Sequence, residues 1–183
     1  KSWIWWDMPE PTKRQMRFAD VIEERPNCVK WHTATETRAL LSMMSDVNLA
    51  KVETAKASGV RMVGGLYKRT RLHHGIKVQR AEVRFDDIAG CLRTPGGGSS
   101  RQLILMVEGD KIRSRLLSAR ETARLMGLPD SYVLPAVYNE AYHLTGDGVA
   151  VPVVSYISKH ILEPNLVAQA EFAQPLSASR NRP

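Results

Sequence analysis

The run Lys68–Arg80, KRTRLHHGIKVQR, holds five Lys/Arg, two His and no acid. Cations at that density suit phosphate oxygens, and arginine also reads guanine through paired bonds to O6 and N7. A solvated hairpin face is the plain alternative. The candidate DNA contacts here are Arg69, Arg71, His73, His74 and Lys77. A second candidate is Cys91-Leu92-Arg93-Thr94-Pro95-Gly96-Gly97-Gly98-Ser99-Ser100-Arg101. Three successive glycines let backbone approach a ligand closely, and Arg93, Ser99, Ser100 and Arg101 suit phosphate contact. A flexible linker is the alternative. No Lys-Ser/Thr follows at Walker spacing, so this is not an NTP-binding loop.

Other chemistries find little support. His32, His73, His74, His143 and His160 do not fall at HExxH or similar spacing, so no metal site is expected. No GxSxG nucleophile elbow occurs. Asp86-Asp87 reads as a turn pair rather than an acid/base dyad. Cys28 and Cys91 form no CxxC pair, which argues against a disulfide scaffold or a cysteine zinc cage and fits a reducing cytoplasm. Both thiols are expected to be buried or half-buried small side chains.

Composition sets the frame around these candidates. The 183 residues are 43% hydrophobic and 25% charged, which excludes collagen-like and fully disordered chains. No apolar run approaches the ~18 residues of a membrane-spanning helix, and no membrane partner is expected. Lys plus Arg number 26 against 19 acids, a formal charge of +7, which favours polyanions, nucleic acid before acidic membrane. The chain opens on Lys1-Ser2-Trp3 without an initiator Met or signal-peptide pattern, so it is expected to be cut from something longer.

The periodicities predict the elements that hold the candidates. Trp3, Trp5, Trp6 and Trp31 lie in a Pro-rich opening stretch with one short helix around 12–24, the aromatics read as packing anchors. Residues 34–57 read as helix, capped by Thr33 or Thr35, broken near 46–48 and closed by Gly59. Leu40, Met44 and Val47 mark its apolar face. Strands are predicted over 61–71 and 76–86, joined by Leu72-His73-His74-Gly75, and over 102–107 and 111–117, turning at Glu108-Gly109-Asp110. Ser118-Ala119-Arg120-Glu121 is a capping box opening a helix that stops near Gly127. A short helix over 136–144 precedes a final helix with Val149, Val153, Ile157 and Ile161 on one stripe, ending before Pro164. Residues from Ser177 onward read as a frayed tail.

One segment carries the reading further. Arg115-Leu116-Leu117-Ser118-Ala119-Arg120-Glu121-Thr122-Ala123-Arg124-Leu125-Met126-Gly127-Leu128-Pro129-Asp130 resembles the ninth conserved motif of DNA cytosine-5 methyltransferases, approximately R-x-L-[ST]-x-R-E-x-A-R-[LV]-[MQ]-G-[FYL]-P-D. Tyr142–Pro152 resembles the tenth, G-N-[AS]-V, with Asp147 at the Asn. Cys91-Leu92 resembles the Thr-Leu element that closes the target-recognition region, with cysteine for threonine. The resemblance covers 91–160, and 1–90 fit the variable recognition region by position. Cys28 follows Asn27 and Cys91 follows Gly90, so neither stands in the family's Pro-Cys loop, and no Glu-Asn-Val occurs.

The resemblance implies an α+β chain. A small target-recognition domain with β-hairpins would precede C-terminal helices that pack on a Rossmann-like catalytic domain absent from this chain. It divides the chain into a connector (1–33), a recognition region (34–117), closing helices (118–164) and a tail (165–183). It implies a C-terminal fragment or small subunit of a DNA-methylation or restriction-modification enzyme, recognising a target in double-stranded DNA. A thiolate elsewhere would attack an extruded cytosine that S-adenosylmethionine then methylates at C5. No catalytic residue is expected here. Asp147, Gly148 and Val149 match positions lining the methyl-donor pocket, with Asp147 read equally as the cap of the last helix. Cys91 matches a phosphate-touching position. Arg120 and Glu121 match an Arg-Glu pair read as a cap and an internal ion pair. The docking face would include Leu125, Met126, Val153, Ile157 and Ile161; alone, the chain would dimerise, aggregate or need its catalytic partner. A bacterial or phage cytoplasm, at the nucleoid, is the expected setting. A stand-alone DNA-binding regulator and a non-catalytic scaffold are the alternatives.

Overall fold

Four strands build one antiparallel sheet with helices on both faces. The computed structural model describes residues 5–94 and 101–167, apart from the His73 side chain. Two compact units emerge, Arg14–Val149 and a smaller one drawn from Lys1–Lys13 and Ala150–Pro183. The larger holds α1 (Ala34–Ser42), α2 (Asp46–Ala57), β1 (Met62–His73), β2 (Ile76–Arg84), β3 (Leu103–Glu108), β4 (Lys111–Leu116), α3 (Ala119–Leu125) and α4 (Tyr138–Asp147). The sheet order is β2-β1-β3-β4, every pairing antiparallel.

Central strand β3 reads LILMV without alternation because both of its faces are covered. Leu103, Leu105 and Val107 join Leu66, Ala81 and Val83 beneath Leu40, Met44, Val52 and Ala55 of the first two helices. Ile104 and Met106 turn the other way, against Phe18, Val21, Ile22, Val63 and Leu117. Outer strand β2 is shielded at its base. The Ala81 N–H donates to the Met43 carbonyl, the Val83 N–H to Asn48 Oδ1, and Lys51 Nζ reaches the Val83 carbonyl.

Thr33 caps α1 in a full capping box, accepting from the Glu36 N–H while Glu36 Oε2 accepts from the Thr33 N–H at 2.7 Å. Thr33→Ala is expected to lower the urea midpoint by an amount equivalent to about 1 kcal/mol. Ser118 and Glu121 form the second box, and Gly127, at φ 79°, ends α3 as predicted. Val47, assigned to the apolar face, stands exposed at the start of α2 because the break at Met43–Ser45 turns that helix.

Several expectations change. No helix spans 12–24: only a 3₁₀ turn, Phe18–Val21, forms between extended Arg17 and Ile22. The Phe18 N–H donates to the Asp87 carbonyl, so tertiary pairing takes a group that a helix would have kept. Pairing along the first hairpin continues to His73 opposite Ile76, leaving a two-residue turn, His74-Gly75, with φ of 49° and 79°. Both values are left-handed, the signature of a type I′ turn that matches strand twist. Glu108 likewise pairs with Lys111 across Gly109-Asp110. Trp31 packs under Arg113 and Arg115, but Trp5 is 85% exposed and Trp6 is also exposed. Cys28 and Cys91 are exposed thiols rather than buried ones, each lying in an irregular segment outside the sheet. Trp3 and the frayed tail from Ser177 fall outside the described residues.

In the smaller unit, α5 (Val151–Ile157) carries Pro152 in its first turn as predicted and passes into a π-helical turn, Ser158–Leu162. The helix does not stop before Pro164. The Glu163 N–H donates to the Ser158 carbonyl, and helical backbone continues over 163–167. The widened turn makes room for a residue that has no N–H to give. No helix among the described residues is long and apolar enough to cross a membrane.

Candidate nucleic-acid interface

Beyond Leu66, β1 loses its β3 neighbour and continues with β2 alone as a two-stranded ribbon. Register fixes its two faces. Tyr67, Arg69 and Arg71 share one with their partners Glu82, Arg80 and Val78; Lys68, Thr70 and Leu72 share the other with Ala81, Gln79 and Lys77. The candidate cations therefore divide: Arg69 and Arg71 lie on one face, Lys77 on the opposite one. His74 occupies the turn and His73 the end of β1.

The chain leaving β2 passes over the arginine face. A Cβ at Gly65 would stand 3.6 Å from the Ile88 carbonyl oxygen, and one at Gly90 3.7 Å from Tyr67 Cδ1. Cys91 and Arg93 follow, both exposed, with Leu92 tucked against the second core. Cys91 Sγ points to the neighbouring Leu92 carbonyl at 3.4 Å. Ser99 and Ser100, with the glycines before them, fall outside the described residues.

Helix α4 receives the chain on both sides of that stretch. Thr94 Oγ1 donates to Asp147 Oδ1 at 2.6 Å. Gly146 permits this contact, since a Cβ there would lie 2.9 Å from the Thr94 nitrogen. Past the loop, Arg101 donates to Asn139 Oδ1 at 2.5 Å and stacks over Tyr138, 5.6 Å from its ring centre. The Gln102 N–H donates to Tyr142 Oη at 2.9 Å. Burial raises the phenol pKa of both Tyr138 and Tyr142, so each stays a neutral hydroxyl.

Asp147 ends α4, Gly148 follows as its C-cap, and Val149 is exposed. Asp147 does not cap the last helix: that position is Ala150, without a side-chain cap bond, because α4 runs through Asp147 itself. The carboxylate engages Thr94 instead. Asp147, Gly148 and Val149 form three successive exposed positions.

Glu121 is structural, with a partner other than the adjacent Arg120. Arg115 grips it through two bonds, NH1 to Oε2 at 2.8 Å and NH2 to Oε1 at 2.6 Å, and both side chains are 0% exposed. The N–H groups of Glu23 and Ser118 each donate to Glu121 at 2.7 Å. Arg120 instead holds the Pro129 and Tyr132 carbonyls. Arg124 pairs with Asp130, whose carboxyl the Arg124 hydrogen bonds hold below the usual range. Leu125, placed on the docking face, packs against the second core.

Reading by residue type missed Glu82, Thr94, Asn139 and Tyr142. Glu82 was recoverable: a two-residue His-Gly turn puts it opposite Tyr67, beside the arginines. The other three act through contacts distant in sequence, which no local pattern marks. Among the described residues no group of His, Cys, Asp or Glu could hold a metal ion.

Arg69 and Arg71 thus share one face of a two-stranded ribbon, Thr94 and Arg101 both meet α4, and Arg115 and Glu121 form a buried ion pair. The chain belongs to the C-5 cytosine-specific DNA methylase family, whose sequence model matches residues 5–163. It is 28% identical over 168 residues to the type II methyltransferase M.HpaII of Haemophilus parainfluenzae, covering 85% of this chain and 40% of that protein. It is 34% identical over 59 residues to the type II methyltransferase M1.ScrFI of Lactococcus lactis subsp. cremoris, 32% of this chain and 15% of that one. A 42-residue stretch is 50% identical to the putative DNA (cytosine-5)-methyltransferase CMT1 of Arabidopsis thaliana, 23% of this chain and 5% of that protein. The chain thus spans two fifths or less of the length of each of these relatives.

Proposed function

We propose that this chain is the target-recognition and closing portion of a DNA cytosine-5 methyltransferase, a C-terminal part or small subunit that works with a separate catalytic part. The carrying observation is one sheet face. Arg69, Arg71 and Arg80 share it, and the segment leading to Cys91 and Arg93 crosses it. Residues 34–117 would grip double-stranded DNA, 118–164 would close against a Rossmann-like catalytic part, 1–33 would connect the two, and 165–183 would trail.

On this reading the ribbon and the 91–101 segment fix register through phosphate and choose sequence through base edges. The ligands Arg69, Arg71, His73, His74, Lys77, Cys91, Arg93, Ser99, Ser100 and Arg101 are proposed on that footing. Asp147, Gly148 and Val149 would border S-adenosylmethionine, which supplies the methyl group when bound. The Thr94 hydroxyl fixes one Asp147 oxygen, so the carboxylate arrives oriented.

Helix α5 supports the docking claim. No residue of it is buried, and Val153 and Ile157, one turn apart, are 52% and 40% exposed. An apolar stripe of this kind is left for a partner. Val153→Asp with Ile157→Asp is expected to abolish capture of the catalytic part, and to suppress homodimers of the chain alone, without changing its circular dichroism. The function is tested by incubating the purified chain with S-adenosylmethionine and duplex DNA, alone and with its catalytic part. DNA binding without methyl transfer is expected from the chain alone, and transfer from the pair. Methyl transfer by the chain alone would overturn the division of labour.

A further inference from the structure

Glu82 is an acid in contact with two candidate DNA-binding arginines. Its Oε1 accepts from Arg71 Nε at 2.8 Å and from NH2 at 2.5 Å, while Oε2 lies 3.8 Å from Arg69 Nε. The Glu82 side chain is 21% exposed, while those of Arg69 and Arg71 are each 51% exposed. Arg69 also lies over the Tyr67 ring, 4.6 Å from its centre. An exposed ion pair contributes little to stability. Its consequence is geometric: Nε and NH2 of Arg71 are both held by Glu82, while NH1 makes no bond to it and the side chain stays half exposed.

A carboxylate touching an arginine weakens its attraction for phosphate, because the two negative groups repel. It costs far less against a neutral acceptor pair such as guanine O6 and N7, which calls for a planar fork at a fixed angle. By contrast, Lys77, Arg80 and Arg93 make no ion pair among the described residues. Paired and unpaired cations thus suit different targets.

We propose that Glu82 is a positioning residue for base recognition, fixing the Arg71 guanidinium so that its remaining N–H groups meet a guanine in the major groove, with Arg69 steadied alongside. The proposal rests on the DNA-recognition reading above and adds the residue that sets specificity within it. The fork of Arg71 reads the base, and Glu82 acts only through it.

The test is selection of random-sequence duplexes by the full chain, followed by sequencing, for the unsubstituted protein, Glu82→Gln and Arg71→Lys. The unsubstituted chain is expected to enrich a motif containing a guanine. Both variants should lose preference at that one position, by about tenfold, and keep it elsewhere. Glu82→Gln should also bind scrambled duplex more tightly and steepen the salt slope by about one, since one fewer negative charge competes with phosphate for the arginines. A merely structural role would instead weaken every sequence alike. Guanine preference kept by Glu82→Gln, or an even loss across positions, overturns the inference and leaves the DNA-recognition reading standing. Arg71→Lys, at an exposed site, decides the matter if Glu82→Gln fails to fold: retained preference overturns the proposal. Enrichment of no motif by the unsubstituted chain overturns the recognition reading, and this inference with it.

Discussion

Arg115→Ala is expected to cost about 3–5 kcal/mol of folding stability, because it leaves the Glu121 carboxylate buried without its cation. The pair is completely enclosed. Among the described residues Glu121 then keeps the N–H groups of Glu23 and Ser118, two neutral donors in place of the guanidinium fork. The loss should spread beyond the pair. Arg115 NH2 also holds the Glu23 carbonyl at 2.9 Å, and its guanidinium carbon stacks 4.8 Å from the Trp31 ring centre, so one side chain ties the opening segment to β4 and α3. Urea unfolding would show a lowered midpoint. Glu121→Gln, which keeps the shape and removes the charge, should also destabilise. Replacing both partners by apolar residues of similar volume, Arg115→Met with Glu121→Leu, should recover much of the loss. A single Arg115→Ala midpoint within error of the unsubstituted chain would mean that the ion pair does not hold this layer together.

That pair shows where sequence reading succeeds and where it stops. Ser118 and Glu121 lie three apart and announce a capping box, a local device with a local signal. The same Glu121 also neutralises Arg115 and anchors Glu23, and nothing in the spacing shows it. The strands were legible because burial on two faces leaves its mark on β3 and a left-handed turn leaves its mark at Gly75. The helix expected over 12–24 was not, since the Phe18 N–H bonds to Asp87, far along the chain. The same holds at the site. Residue type marks Arg69 and Arg71 as cations, but only pairing register shows that Lys77 faces the other way and that Glu82 shares the arginine face.

Lys77, Arg80 and Arg93, exchanged together for Gln, are expected to flatten the salt dependence of duplex binding by about 2.7 in the log–log slope, some 0.9 for each phosphate no longer neutralised. Unlike Arg69 and Arg71, these three make no ion pair among the described residues, so their charge is available to phosphate in full. The consequence is large. Over a fourfold rise in salt, the ratio of unsubstituted to variant affinity should narrow by about 40-fold. Sequence preference should survive, because phosphate binding sets register and affinity while base edges set choice. Fluorescence anisotropy of a labelled duplex, titrated across salt on matched and scrambled sequences, separates the two effects. An unchanged slope would place the ribbon and the segment after Cys91 outside the electrostatic footprint, and DNA would then have to be held by some other surface. A flattened slope with no remaining preference would instead make the unpaired cations base readers, reversing the division of labour between them and the Glu82 cluster.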